Sequence, residues 1–281
     1  MKVLITGGTG RLGRTLCKLL SKTYEVIAPS KKEMDLREKN VIEYIKRSSP
    51  GVVIHTAALT SVDYCEKNKM EAYLVNVVGS FYIAKASSLC NAKMVYVSTD
   101  YVFDGKMKRP YHEKDIANPV NYYGITKLQG ERIIQDIVKK FFIVRTAWLF
   151  GSEGKEDFID FVLKESKERK ELKFTDDHIG SPSYVKDIAK AIQILIESDY
   201  YGIYHIVNKG EATRKIFAEE VLKVKNIRKK IMGVKGNDVG FIAPRPYYTV
   251  LSPELFENRF KVKIRSWKDA LWDYLKNTCK D

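Results

Sequence analysis

The sequence predicts an α/β protein: a Rossmann-type doubly wound parallel sheet with a smaller C-terminal α/β lobe. Three observations carry this. Short β-branched runs alternate with helical patterns through the first half of the chain. A glycine turn joins the first run to the first helix. A sheet-like run, Gly202-Ile203-Tyr204-His205-Ile206-Val207, returns late, after the alternation has loosened. The 281 residues suffice for one large core or for two lobes sharing a cleft. The expected division puts residues 1–150 and about 184–208 in the sheet domain, and about 151–183 with 209–281 in the second lobe.

Residues 3–5 form a short buried strand that runs into Gly7, Gly10 and Gly13, and an amphipathic helix follows through Leu16, Leu19 and Leu20. This spacing suits a dinucleotide. One glycine allows the tight turn, one lets backbone approach a pyrophosphate, and one lets helix pack on strand. The helix then offers free N–H groups to the anion. The second strand, residues 24–28, ends on Pro29-Ser30-Lys31-Lys32 rather than on an acid. With Arg11 inside the turn, hydroxyl plus cations suit a 2′-phosphate, so NADPH is favoured over NADH. Lys31 and Lys32 also read as ordinary turn lysines; Arg11 tips the balance. Asp35 has two compatible readings: it caps a helix running to Arg47 with Glu38 reaching back, and with Leu36 it borders the adenine.

The third strand leads to Ala57 and Ala58, small enough for a nicotinamide ribose to lie close. His55, inside that strand, reads as a packed core histidine. A helical region spans 66–90; its Asn76 either hydrogen-bonds backbone near the site or is a simple buried amide. Residues 93–97 are the next buried strand, which puts Thr99 at a carboxyl end, where open α/β sheets hold ligands. Tyr123 and Lys127 are four apart and share one helix face. Thr99, Tyr123 and Lys127 together can hold a carbonyl, protonate it and fix a cofactor sugar. The polar loop 106–121, with Pro110 and Pro119, covers them. A strand over 142–148 ends at Trp148, which covers a sugar or base or simply packs. The second lobe is read as a helix over 157–170, a strand near 172–175, a turn-rich stretch 177–184, a helix over 185–197 and helices near 215–224, 253–257 and 267–277. Its loop 243–248 carries Arg245 between prolines.

The net charge of +14 is spread among mixed-sign stretches, and only residues 226–230 are densely positive, without interleaved aromatics. That favours solvated faces over nucleic-acid binding, while the positive field still attracts a diphosphate. No apolar run spans a bilayer, and the amino terminus runs straight into strand and glycines rather than a secretory signal. Cys17, Cys65, Cys90 and Cys279 lack CxxC pairing, so a reduced cytoplasmic setting with structural thiols and no metal is expected.

The glycine turn, Thr99 and Tyr123-x-x-x-Lys127 resemble the extended short-chain dehydrogenase/reductases. Within them, several stretches look like the dTDP-4-dehydrorhamnose reductases: 56–63, 98–105, 123–127, 145–148, 180–183 and Arg245-Pro246, which span nearly the whole chain. The Ser-Thr-Asp-Tyr-Val-Phe run and Arg-Thr-x-Trp are the stretches specific to this branch. The resemblance implies cofactor contact at Gly7, Gly10, Arg11, Leu12, Asp35, Leu36, Ala57, Ala58, Thr60, Tyr123 and Lys127. It implies contact with a nucleotide-diphosphate sugar at Val62, Thr99, Asp100, Tyr101, Phe103 and Trp148, with Arg245 a weaker candidate. It allows a homodimer. Leu59, and Thr249-Val250-Leu251 after Arg245-Pro246, depart from the family pattern and touch the choice of sugar or base.

The implied reaction is NAD(P)H-dependent reduction of a 4-keto group, with Tyr123 giving its proton to the forming alkoxide, its pKa lowered by Lys127 and the nicotinamide. A dehydratase would carry an acid pair after the threonine, and a fucose-synthase-like epimerase a cysteine; Asp100-Tyr101 is neither. Two alternatives remain: a reductase of another nucleotide-linked 4-keto-6-deoxy sugar, and a non-catalytic NADP-binding regulator resembling the regulatory subunit of methionine adenosyltransferase.

Overall fold

Val3, Leu4 and Ile5 are all fully buried, although successive side chains of a strand point to opposite faces. Both faces of their strand are therefore covered, as in a parallel sheet flanked by helices. The computed structural model describes residues 1–277 apart from 152, 153 and 155. In it β1 (Lys2–Thr6) lies between β2 (Glu25–Ile27) and β3 (Val52–His55), and β4 (Lys93–Thr99) and β5 (Phe141–Thr146) extend the sheet beyond β3. Four strands follow outside it: β6 (Leu149–Phe150), β7 (Glu171–Thr175), β8 (Ile179–Gly180) and β9 (Ser183–Tyr184). Then β10 (Gly202–His205) returns to pair with β5, so the six-stranded parallel sheet reads 10-5-4-3-1-2. The late return follows the expectation from its β-branched run. β11 (Ala212–Thr213) pairs antiparallel with β8, β12 (Lys230–Val234) pairs parallel with β7, and β6 pairs with β9.

The helices are α1 (Arg11–Leu20), α2 (Val41–Ser48), α3 (Val62–Lys67), α4 (Lys69–Tyr73), α5 (Gly79–Leu89) and α6 (Tyr122–Ile137). After them come α7 (Phe158–Glu168), α8 (Val185–Ile196), α9 (Arg214–Val224), α10 (Gly236–Val239), α11 (Glu254–Phe260) and α12 (Trp267–Asn277). One apolar cluster joins Val3 and Ile5 to Leu16 of α1 and Ile188 of α8, and continues through Phe217 of α9 and Trp267 of α12. Leu4 and Val53 face the other way, into a cluster with Ile45 of α2, Ile83 of α5 and Ile134 of α6. Each such buried side chain contributes about 1.5–3 kcal/mol.

Three local readings differ from expectation. The helix after Asp35 begins only at Val41, behind Asn40, which makes no side-chain cap. Asp35 is instead held by Arg37, whose Nε and Nη2 donate to its carboxylate at 3.0 and 2.5 Å. A bidentate charged pair outcompetes a cap, so the capping-box reading fails. The region expected as one helix over 66–90 starts at Val62 and contains a π-helical turn, Leu74–Val78, which turns Asn76 inward. β12 was not foreseen, because it starts at the end of the densely positive stretch 226–230 and its pairing with β7 is the physical signal.

Candidate active site

The site forms where α1 and α6 meet the carboxyl ends of β1, β3, β4 and β5. Gly7 has φ +70°, and a Cβ there would come within 2.8 Å of Ala57 N. A Cβ on Gly13 would overlap the Gly7 carbonyl oxygen. The turn thus lets α1 start close against the strand ends, and Gly10 caps α1 with no side-chain bond. The first N–H groups of α1 are left for an anion. Arg11 adds a cation there. Its Nη2 donates to Glu156 O at 2.7 Å, while its buried Nε has no protein partner among the described residues. The turn, the uncapped helix and the orphaned donor fit a dinucleotide pyrophosphate.

α6 is placed by backbone approach. Asn121 caps it by accepting from Gly124 N at 2.9 Å. A Cβ on Gly124 would overlap the Tyr101 carbonyl oxygen, and one on Gly130 would overlap the Tyr96 hydroxyl. Behind the site, Glu131 accepts from Ser98 Oγ at 2.5 Å and from Arg145 Nη2 at 2.7 Å. This buried ion pair ties α6 to β4 and β5, and so ties the Tyr123 and Lys127 helix to the Thr99 strand.

Gly7, Gly10, Arg11, Leu12, Ala57, Ala58 and Thr60 line one side of a cleft of about 540 Å³; Thr99, Asp100, Tyr123, Lys127 and Trp148 line the other. Lys31, Asp35 and Leu36 line an adjoining recess of about 200 Å³ that shares Gly7, Ala57 and Ala58 with the cleft. Asn76 supports the floor: its Oδ1 accepts from Leu59 N at 2.8 Å and its Nδ2 donates to Leu59 O at 3.0 Å. His55 is a core histidine, linked to Thr6 Oγ1 at 2.7 Å and Ser80 Oγ at 3.2 Å, and burial drives its pKa down to about 3.

Four expected substrate contacts sit differently. Phe103 is fully buried and stacks on Tyr111 with ring centroids 4.1 Å apart, so its side chain belongs to the core under the loop. Tyr101 stands edge-on to Tyr123, 6.2 Å away. Val62 opens α3 and is not in the cleft wall. Arg245 is likewise outside that wall, donating to Asp63 Oδ1 at 2.9 Å and to Ala243 O at 3.0 Å. The sequence reading missed Ser98 and Thr146, which line the cleft, and Glu131 behind it. The four-residue step from Lys127 to Glu131 on one helix face was the available signal.

The electrostatics also differ from expectation. At Tyr123 burial outweighs the neighbouring lysine. Burial raises the Tyr123 pKa well above the ordinary phenol value, the Thr99 hydroxyl opposes, and Asp100, Cys65 and Tyr101 add to the rise. The Lys127 ammonium lies 3.9 Å from the centre of the Tyr96 ring. Burial lowers Lys127 to about 7, with Glu131 opposing. Burial raises Asp100 to about 6, although Thr249 and Thr99 donate to it at 2.6 and 3.0 Å. Among the described residues no group of three His, Cys, Asp or Glu is placed to hold a metal. No helix among them is long and apolar enough to cross a membrane. Cys17, Cys65 and Cys90 are unpaired; Cys279 lies outside the described residues.

A parallel α/β sheet with this glycine turn and a Thr–Tyr–Lys set at its carboxyl edge defines an NAD(P)H-dependent oxidoreductase of the short-chain dehydrogenase/reductase type. The model of the RmlD substrate binding domain matches residues 1–279, and the chain belongs to that family. The Bacillus subtilis spore coat polysaccharide biosynthesis protein SpsK is 39% identical over 98% of this chain and 96% of its own. The dTDP-4-dehydrorhamnose reductase of Aggregatibacter actinomycetemcomitans is 36% identical over 96% of this chain and 97% of its own. The Bacillus anthracis dTDP-4-dehydrorhamnose reductase, solved in complex with NADP, superposes with a TM-score of 0.95 at 34% identity, covering 98% of this chain and 99% of that one.

Proposed function

We propose that the protein reduces the 4-keto group of dTDP-4-dehydro-L-rhamnose to dTDP-L-rhamnose with NAD(P)H, NADPH favoured. The observation that carries this is the single cleft in which the glycine turn faces Thr99, Tyr123 and Lys127, in a chain similar over its full length to named reductases of that sugar. Gly7, Gly10, Arg11, Leu12, Ala57, Ala58 and Thr60 hold the cofactor, with Lys31, Asp35 and Leu36 at its adenine end. Arg37 already neutralises Asp35, which suits a 2′-phosphate beside Ser30 and Lys31. The bound cofactor supplies the hydride. Thr99 orients the keto oxygen, and Tyr123 gives that oxygen its proton. Burial keeps the Tyr123 phenol protonated at neutral pH, the state a donor needs. Lys127 holds the cofactor sugar and returns a proton to Tyr123. Asp100, Tyr101 and Trp148 frame the sugar, with Val62 and Arg245 as outer candidates; Phe103 supports them from the core.

In this reading the lobe of about residues 151–183 and 209–281 binds the nucleotide-sugar, and the protein acts in the cytoplasm; a homodimer is compatible with it. The test follows absorbance of NADPH and NADH with dTDP-4-dehydrorhamnose generated in situ. Turnover is expected, falling by about 10²–10⁴ in kcat for Tyr123→Phe. Tight NADPH binding without turnover would shift the reading to another keto-sugar, and then to a regulatory subunit.

A further inference from the structure

Arg214 is the first residue of α9, just after the Thr213 cap, where the helix dipole disfavours a cation. Its guanidinium lies 3.8 Å from the centre of the Trp148 ring and 4.8 Å from that of Phe158. Among the described residues it makes no hydrogen bond and no ion pair. The nearby carboxylates are engaged elsewhere. Asp157 accepts from Gly151 N at 2.7 Å and Ile159 N at 2.7 Å, and Asp100 accepts from the hydroxyls of Thr249 and Thr99. Two aromatic faces do not offset the desolvation of a guanidinium. Burial pulls it down to about 10, far short of discharging it at neutral pH. A charged, half-buried guanidinium over the cleft residue Trp148, with no hydrogen-bonded partner among the described residues, is free to take an anion.

The position selects which anion. Arg214 stacks on Trp148, a cleft residue opposite the glycine turn, and its field reaches Asp100 and Tyr101. Tyr101 also feels Arg245, so two cations act on it. The cofactor pyrophosphate has its own seat at α1. We infer that Arg214, presented on the face of Trp148, binds the diphosphate of the nucleotide-sugar and so selects nucleoside diphosphates at this site; the assignment rests on the function proposed above.

The test measures binding of dTDP, thymidine and NADPH by calorimetry in the wild type, Arg214→Met and Arg214→Lys. Arg214→Met is expected to weaken dTDP by about 10–100-fold, the worth of a charged hydrogen-bond pair. Thymidine and NADPH should stay within about twofold, which also shows that the variant is folded. Arg214→Lys keeps the charge but not the planar fork, so an intermediate loss is expected. Unchanged dTDP affinity in Arg214→Met, an equal loss for thymidine, or a loss confined to NADPH would overturn the assignment and leave the reductase reading standing. A wild type that binds NADPH but neither dTDP nor thymidine would overturn both.

Discussion

Replacing Glu131 by Gln should unfold the protein more readily without touching any ligand contact. Glu131 is fully buried and Arg145 is 3% exposed. Glu131 receives Arg145 Nε at 3.0 Å and Nη2 at 2.7 Å, and Ser98 Oγ at 2.5 Å. Without that charge, Arg145 is left with a neutral amide oxygen, the ring of Phe103 at 5.1 Å, His205 Nε2 at 3.4 Å and the weaker field of Glu113. Burial holds His205 neutral, with Arg145 itself opposing its protonation, so it supplies no counter-charge. Stripping one partner from a buried pair costs about 3–5 kcal/mol. Urea unfolding by linear extrapolation reads this directly. Replacing both partners together, Glu131→Leu with Arg145→Met, should recover most of the loss, because no buried charge is then left alone. A loss under about 1 kcal/mol in Glu131→Gln, or no recovery in the double variant, would refute this account of the pair.

Three more outcomes follow from the site. Gly13→Ala forces a methyl into the Gly7 carbonyl oxygen; an overpacking cost of about 1–3 kcal/mol and NADPH binding weakened at least about tenfold are expected, read by denaturation and fluorescence titration. Gly124→Ala pushes α6 off the Tyr101 carbonyl and moves Tyr123 with it; kcat should fall while NADPH affinity stays within a few-fold, measured by steady-state kinetics. Lys127 has its folded pKa depressed to about 7 from the ordinary lysine value of 10.5. The unfolded chain therefore binds the extra proton between those values, and the cost of the buried charge grows as pH falls from about 10 to about 7. Lys127→Met should lose activity yet gain about 3–5 kcal/mol of stability at pH 6, with the gain shrinking toward pH 10; equal stability at both pH values would contradict the shift.

Most of the fold was legible because strand and helix periods are local. Residues 3–5, 51–58 with the strand's exit, and 202–207 read as sheet strands from side-chain chemistry alone, and each supplied a strand of the sheet. Asp157 read as the start of a helix and caps α7. The glycine turn and the Tyr123–Lys127 step fixed the class of site, since each needs specific residue types at fixed spacing. What stayed hidden depends on partners far along the chain. Asp35 turned to Arg37 instead of capping α2. Phe103 went to Tyr111 and the core. Lys127 lies over the Tyr96 ring in the field of Glu131, and burial, which depends on the whole fold, dominates at Tyr123. Arg214, one cation among many in the sequence, stands out only once folding brings it onto Trp148 with no hydrogen-bonded counter-ion among the described residues. Sequence by itself determined the periodicities and the backbone freedoms, because those are properties of neighbouring residues. Tertiary structure alone decided charge states and contacts, because desolvation and pairing depend on what the fold brings together across the chain.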